Sequence, residues 1–242
     1  MWSTIWHLFF FDPIYNILVY FIDVVPGGDV GLSIILTTIV VKVFLLPLSL
    51  KAARTQKIMK ELDPKLKEIK ERLKDKREEQ AREMMEVYRD AGLNPFASVI
   101  LLFVQIPIII ALYFSVARGG GVPLPEINTA VLYAFVPTPE TVNMIFLGFM
   151  DITQKSLPLA LLAGITQFIH AQLSIPKPEP RKKDEVLDMK ADFARSMQLQ
   201  MRYMMPLIIF MVAYTISAAI AIYFTISNLM ALVQEYLVRR HR

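Results

Sequence analysis

Apolar residues in this chain fall in long runs separated by blocks dense in charge. A run of about 20 apolar residues is what a helix needs to cross a hydrocarbon core about 30 Å thick. Residues 30–50, 95–117, 157–173 and 204–238 are runs of this kind. The chain has 242 residues, 55% of them hydrophobic, and a mean hydropathy of +0.44. That is too apolar for an ordinary soluble domain, and the expected fold is an all-α polytopic membrane protein. The absence of cysteine excludes disulfides, thiolate nucleophiles and cysteine-based metal sites.

Residues 204–234 carry no charge at all. The stretch is too long for one ordinary span and short for two, and TISAA at 215–219 is its candidate break. Charge distribution decides the reading. Lys and Arg number 13 in 51–93, two in 118–156, seven in 174–203 and three in the closing RRHR. By the positive-inside rule the rich segments are cytoplasmic and the poor ones external. That alternation requires two helices in 204–238, and so five spans with the N-terminus outside and the C-terminus inside. The expected order is an external segment 1–29, spans at 30–50, 95–117, 157–173, 204–217 and 218–238, and cytoplasmic segments at 51–94, 174–203 and 239–242. An external loop fills 118–156. Residues 9–25 are apolar and aromatic but interrupted by Asp12, Pro13, Asn16 and Asp23, and are read as an amphipathic helix lying on the outer leaflet, with a sixth span as the alternative. The first 41 residues contain no Lys or Arg, unlike a secretory signal or a transit peptide. A bacterial cell membrane is therefore the expected location.

The charged segment 51–93 is rich in helix formers. Leu62, Leu66, Ile69 and Leu73 step at helical spacing. Asp63-Pro64 reads as an N-cap with proline at the first helical position. Residues 74–78 read as a tip, followed by a second helix carrying Met84, Met85, Val87 and Tyr88 and closing at Gly92. The expectation is a helical hairpin in the cytoplasm with interleaved charges.

Lys42 interrupts the first span, in TTIVVKVFLLPL. A lysine near the bilayer centre costs about 3 kcal/mol on insertion scales. No Asp or Glu occurs in any span before Glu235, so only water, neutral side chains or a passing substrate is left to solvate it. Thr38 and Ser49 lie on its helical face. Gln105 precedes Pro107 in the second span, while Thr166, Gln167 and His170 cluster at the end of the third. Tyr223, Ser227, Met230 and Gln234 share a face of the fifth. These groups could converge on a water-filled cavity open to the cytoplasm. On a straight helix Lys42 sits about 13 Å from Lys51, beyond simple snorkelling; snorkelling or an interhelical hydrogen bond is the bland alternative.

In this order the features resemble the YidC membrane-protein insertase family. IVVKVFLLPL is similar to that family's first core span, LDPKLKEIKERLKDKREEQAREMMEVYRDAGLNPF to its cytoplasmic hairpin, LLFVQIPIIIALY to its second span and IYFTISNLMALVQEYLVRR to its last. The resemblance implies a hydrophilic groove open to the cytoplasm and to lipid, with Lys42, Thr38, Gln105, Gln167, Tyr223 and Ser227 as the groove residues. It implies newly made membrane proteins as partners, in contact with membrane lipids. The ribosome and the Sec translocon are further candidate partners, and nucleic acid is not a direct one. No cofactor, metal or nucleotide is implied. The family commonly has Pro or Gly at the turn between its last two spans, where this chain has Ile216-Ser217-Ala218-Ala219, and three further departures stand out. The family's groove residue is usually arginine where this chain has Lys42; the large external domain of many members is missing; and the basic tail is short.

A small transporter or channel would also fit one intramembrane base with scattered polar residues, although no repeated half or pair of interrupted spans is visible. An intramembrane enzyme is disfavoured by three scattered histidines and no GxSxG or HExxH. A passive scaffold shares most of the features and differs in not needing Lys42.

Overall fold

The computed structural model describes residues 2–74, 76–92, 97–117, 122–175, 196 and 199–240. The expected start of the second span at Pro95 and most of the loop 174–203 lie outside the described residues. Helix α1 (Trp2–Trp6) runs through a π-helical turn (His7–Phe11) into α2 (Asp12–Val24). There follow α3 (Val30–Phe44), α4 (Leu46–Arg72), α5 (Arg77–Asp90), α6 (Ala97–Ala117) and α7 (Leu157–Ser174). A second π turn (Gln200–Met204) leads into α8 (Met205–Ile216), and α9 (Ala218–Arg240) ends the bundle. Three helical stretches among the described residues are long and apolar enough to cross a membrane: Ser3–Val24, Leu157–Ser174 and Ala218–Leu237. The bent pair Val30–Phe44 and Leu46–Thr55 makes a fourth. Two apolar helices are shorter, Phe103–Ala117 and Gln200–Ile216. The chain is a polytopic, mostly helical membrane protein.

Two prolines shape the path out of the bundle differently. Pro47 has no N–H to give the carbonyl four residues back and its ring crowds that turn, and the chain bends by 59° between α3 and the start of α4. Reading Lys42 on a straight helix from Val30 to Leu50 is therefore incorrect: α3 ends at Phe44, two residues beyond it. Pro64, in contrast, lies inside α4. The N-cap expected at Asp63 does not exist, because Leu66 and Ile69 on one side and Leu62 on the other keep the helix continuous through their common contact with α5. There Leu66, Ile69 and Val87 are buried together, flanked by Leu62, Leu73, Met84 and Tyr88. Arg72 is ion-paired with Glu83 across the connection. Beyond Asp90 the chain turns at Gly92, whose φ is +66°, a left-handed conformation that suits glycine at a helix end.

The main core joins α2, α3, α6, α7, α8 and α9 through residues such as Leu18, Ile34, Leu112, Ala163, Ala213 and Ile220. Small residues let α7 and α8 approach closely, as packing inside lipid favours. A Cβ on Gly164 would stand 3.0 Å from the Phe210 Cβ.

The segment 122–156 caps one end of this bundle. A two-residue antiparallel pair, Ile145–Phe146 with Met150–Asp151, forms a small hairpin. Asp29 caps α3 by accepting from Leu32 N–H at 3.0 Å, and its other oxygen accepts from Leu147 N–H at 2.8 Å. The backbone N–H groups of Ala218 and Ala219 donate to Gln154 O at 2.8 Å and Ile152 O at 3.0 Å. The first turns of α3 and α9 are thus tied to the same loop. Ser217, extended at φ −171°, separates α8 from α9.

Candidate functional site

Lys42 sits in the last turn of α3, where the helix dipole favours a cation. Its ammonium donates to Gln105 Oε1 at 3.1 Å, and Gln105 Nε2 donates to the Tyr223 hydroxyl. The direction follows from the donors. An ammonium cannot accept a hydrogen bond, so the carboxamide must turn its oxygen to Lys42 and its nitrogen to Tyr223. The relay links α3, α6 and α9, and Tyr223 at its far end is fully buried. Among the described residues no carboxylate forms an ion pair with Lys42.

Three of the expected groove residues therefore meet directly: Lys42, Gln105 and Tyr223. Ser227 is buried one turn further along α9. Thr38 is buried too, and its hydroxyl donates to Ile34 O at 2.7 Å on its own helix. Gln167 is half-buried on α7. Ser49 bonds Leu46 O at 3.0 Å beyond the bend, so it no longer shares a straight face with Lys42. Thr166 lies on the same face of α7 as His170, four residues on. Thr166 points about 100° away from Gln167 on a helix and is buried against α9, where Asn228 Nδ2 donates to its hydroxyl at 3.2 Å and to Ala163 O at 3.3 Å.

Two residues were not anticipated. Asn228 is one; a carboxamide in an apolar helix was the available signal. Arg202 is the other, counted with the solvated basic residues of 174–203 yet only 3% exposed. Its Nε donates to Gln172 Oε1 at 2.6 Å and its Nη1 to Ile175 O at 2.9 Å. The guanidinium thus satisfies carbonyls at the end of α7, which a helix C-terminus leaves unpaired, and pins that end to the start of α8.

At the capped end, Asn16 in the second turn of α2 donates to Asp12 O at 2.8 Å and Val131 O at 2.9 Å and accepts from Tyr133 N–H at 2.7 Å. Tyr15 accepts from Asn128 N–H at 2.9 Å. In the same loop the Asp151 carboxylate accepts from the Thr153 hydroxyl at 2.6 Å and its N–H at 2.9 Å. Those bonds, the hydroxyl first, hold its carboxyl below the usual range.

A helical membrane protein with a cation relayed through neutral side chains, and no bound carboxylate on it among the described residues, defines the class. Residues 21–242 match the family model described as 60Kd inner membrane protein. The chain belongs to that family, which is the YidC/Oxa1 family. Relatives called "Membrane protein insertase YidC 2" in Bacillus anthracis and "Membrane protein insertase YidC" in Fusobacterium nucleatum are similar to it. The first is 28% identical over 98% of this chain and 82% of the relative. The second is 27% identical over 94% of this chain and 97% of the relative. A "Membrane protein insertase YidC" of Clostridium tetani is 28% identical over 89% of this chain and 84% of its own length.

Proposed function

We propose that the chain is a membrane protein insertase of the bacterial inner membrane, taking short-tailed membrane proteins from the cytoplasm into the bilayer through a hydrated groove at Lys42. Membership of a family whose relatives carry the insertase name supports the activity. The observation that carries the mechanism is the Lys42–Gln105–Tyr223 relay. Gln105, itself held by Tyr223, keeps the ammonium in place without neutralising it, and a cation with no carboxylate paired to it among the described residues is available to an acidic substrate tail. An Asp at the bilayer centre costs about 3 kcal/mol; resting such a tail beside Lys42 shortens the apolar distance it crosses. Partitioning of the substrate's apolar helix into lipid supplies the drive, with the membrane potential adding to it, and no nucleotide is consumed.

The spans of this reading are α3, α6, α7, α8 and α9, with the α4–α5 hairpin and the C-terminus in the cytoplasm. The short α8 suits a locally thin bilayer. Helix α2 then lies along the external cap rather than across the membrane. The hydrogen bonds that Asn16 and Tyr15, well inside the helical stretch Ser3–Val24, make with residues 128–133 favour that placement, because a spanning helix would meet an external loop only at its end. The ribosome and the Sec translocon are candidate partners.

The test is insertion of a single-span substrate with an acidic external tail into liposomes containing the purified protein. Wild type and Lys42→Arg are expected to insert it and Lys42→Leu to fail. Equal insertion by all three would remove Lys42 from the mechanism. Saturable solute flux without insertion would favour a transporter instead.

A further inference from the structure

The hairpin at residues 145–151 carries two features that the insertase reading does not use. Its outward face is apolar: Ile145 is 38% exposed, Leu147 54% and Phe149 72%. Its tip is also conformationally unusual. Leu147 has φ +52° and Gly148 has φ +79°, so a leucine occupies a left-handed position where a glycine or asparagine would be at ease. Neither packing nor backbone preference accounts for Leu147, since over half of the side chain projects from the protein. Alternation along the strand explains the inner face. Phe146 turns inward onto the backbone of Gly31, where any Cβ would collide with its ring, and its neighbours on either side turn outward.

The height of the hairpin is fixed by what it holds. Phe146 rests on the second residue of α3, Asp29 binds the Leu147 N–H just before α3 begins, and Ile152 accepts from the first turn of α9. The tip therefore lies level with the ends of two membrane helices, at the opposite end of α3 from the charged α4. Past the hairpin the chain runs through the exposed polar residues Thr153, Gln154 and Lys155 to Leu157, which is exposed at the first turn of α7.

We propose that this hairpin tip is a lipid anchor. Ile145, Leu147 and Phe149 enter the headgroup and upper acyl region of the leaflet at the capped end of the bundle. In doing so they fix how deep and at what tilt α3 and α9 sit. The occupant is bilayer lipid, not a protein.

The chain has no cysteine, so single labels need no prior substitution. Spin labels would be placed on Leu147→Cys, Phe149→Cys and, as an exposed control in the same loop, Glu140→Cys. Each would be reconstituted in phosphatidylcholine and phosphatidylglycerol vesicles with no other protein present. The expected result is a several-fold higher ratio of collision with oxygen to collision with a water-soluble nickel chelate at 147 and 149 than at 140. Ratios equal to that at 140 would overturn the anchor and leave a protein partner as the occupant. Adding Leu147→Gly to the Phe149→Cys protein relieves the backbone. Its thermal midpoint in detergent is expected to hold or rise while the label moves toward water; an unmoved label would sink the role of Leu147. Unsubstituted protein gives an independent reading. Acyl-chain diazirine lipids in the same vesicles should leave adducts on residues 145–150, and adducts confined to the helices would refute the proposal.

Discussion

Gln105 stands between Lys42 and Tyr223 and bonds both, accepting from the ammonium at 3.1 Å and donating to the phenol. One carboxamide therefore ties three helices at the only intramembrane base of the first span. It satisfies part of the ammonium while leaving its charge intact, which a carboxylate in the same place would not do.

Replacing that carboxamide with a carboxylate tests the distinction. Gln105→Glu keeps the size and the bond to Lys42 but supplies a counter-charge. Insertion of an acidic-tailed substrate is expected to fall by about tenfold, equivalent to about 1.4 kcal/mol of lost attraction. A substrate with an uncharged tail should be affected much less. The ratio of the two in liposomes is the readout, and an equal loss for both would point to a structural defect.

Asn228 joins α9 to α7 away from the relay, so its removal should weaken the fold without touching the groove. Interhelical hydrogen bonds in membranes average about 0.6 kcal/mol, and Thr166 keeps its bond to Leu162 O at 2.9 Å. Asn228→Leu is expected to lower the thermal midpoint slightly in detergent while insertion per folded molecule stays unchanged.

Arg202 should matter more. Truncation to methionine strands the carbonyls of Gln172 and Ile175 in a buried place, at about 1–3 kcal/mol for each group left unsatisfied. Arg202→Met is expected to lower the thermal midpoint well beyond Asn228→Leu. Arg202→Lys should recover only part of it, because an ammonium lacks the planar fork that reaches both carbonyls. Full recovery by lysine would mean that charge alone matters there.

Acidification should loosen the capping loop at Asp151. Its carboxyl is held below the ordinary value by Thr153. That stability is present above the unfolded value of about 3.9 and is lost as pH falls through the lower folded value. Unfolding measured against pH should show wild type losing its advantage over Asp151→Ala below about pH 4. A gap that stays constant would show that the carboxylate contributes nothing through its charge.

The sequence by itself determined that this chain is a helical membrane protein, because apolar runs and charge blocks are local properties that burial in lipid cannot override. It also identified Lys42, Gln105 and Tyr223, each conspicuous as a polar group in an apolar run. Only the tertiary structure decided which polar residues meet. Thr38 and Thr166, on different spans, were expected to converge with the other polar groups on one cavity, yet one bonds its own backbone and the other faces Asn228, since helical spacing gives direction along one helix and nothing about the neighbour opposite. The bend before Pro47 was legible in principle; the continuity of α4 through Pro64 was not, because contact with α5 overrides a local cap signal. Arg202 passed for a solvated loop residue for the same reason: burial is a property of what packs around a side chain, and one chain of letters does not say what that is.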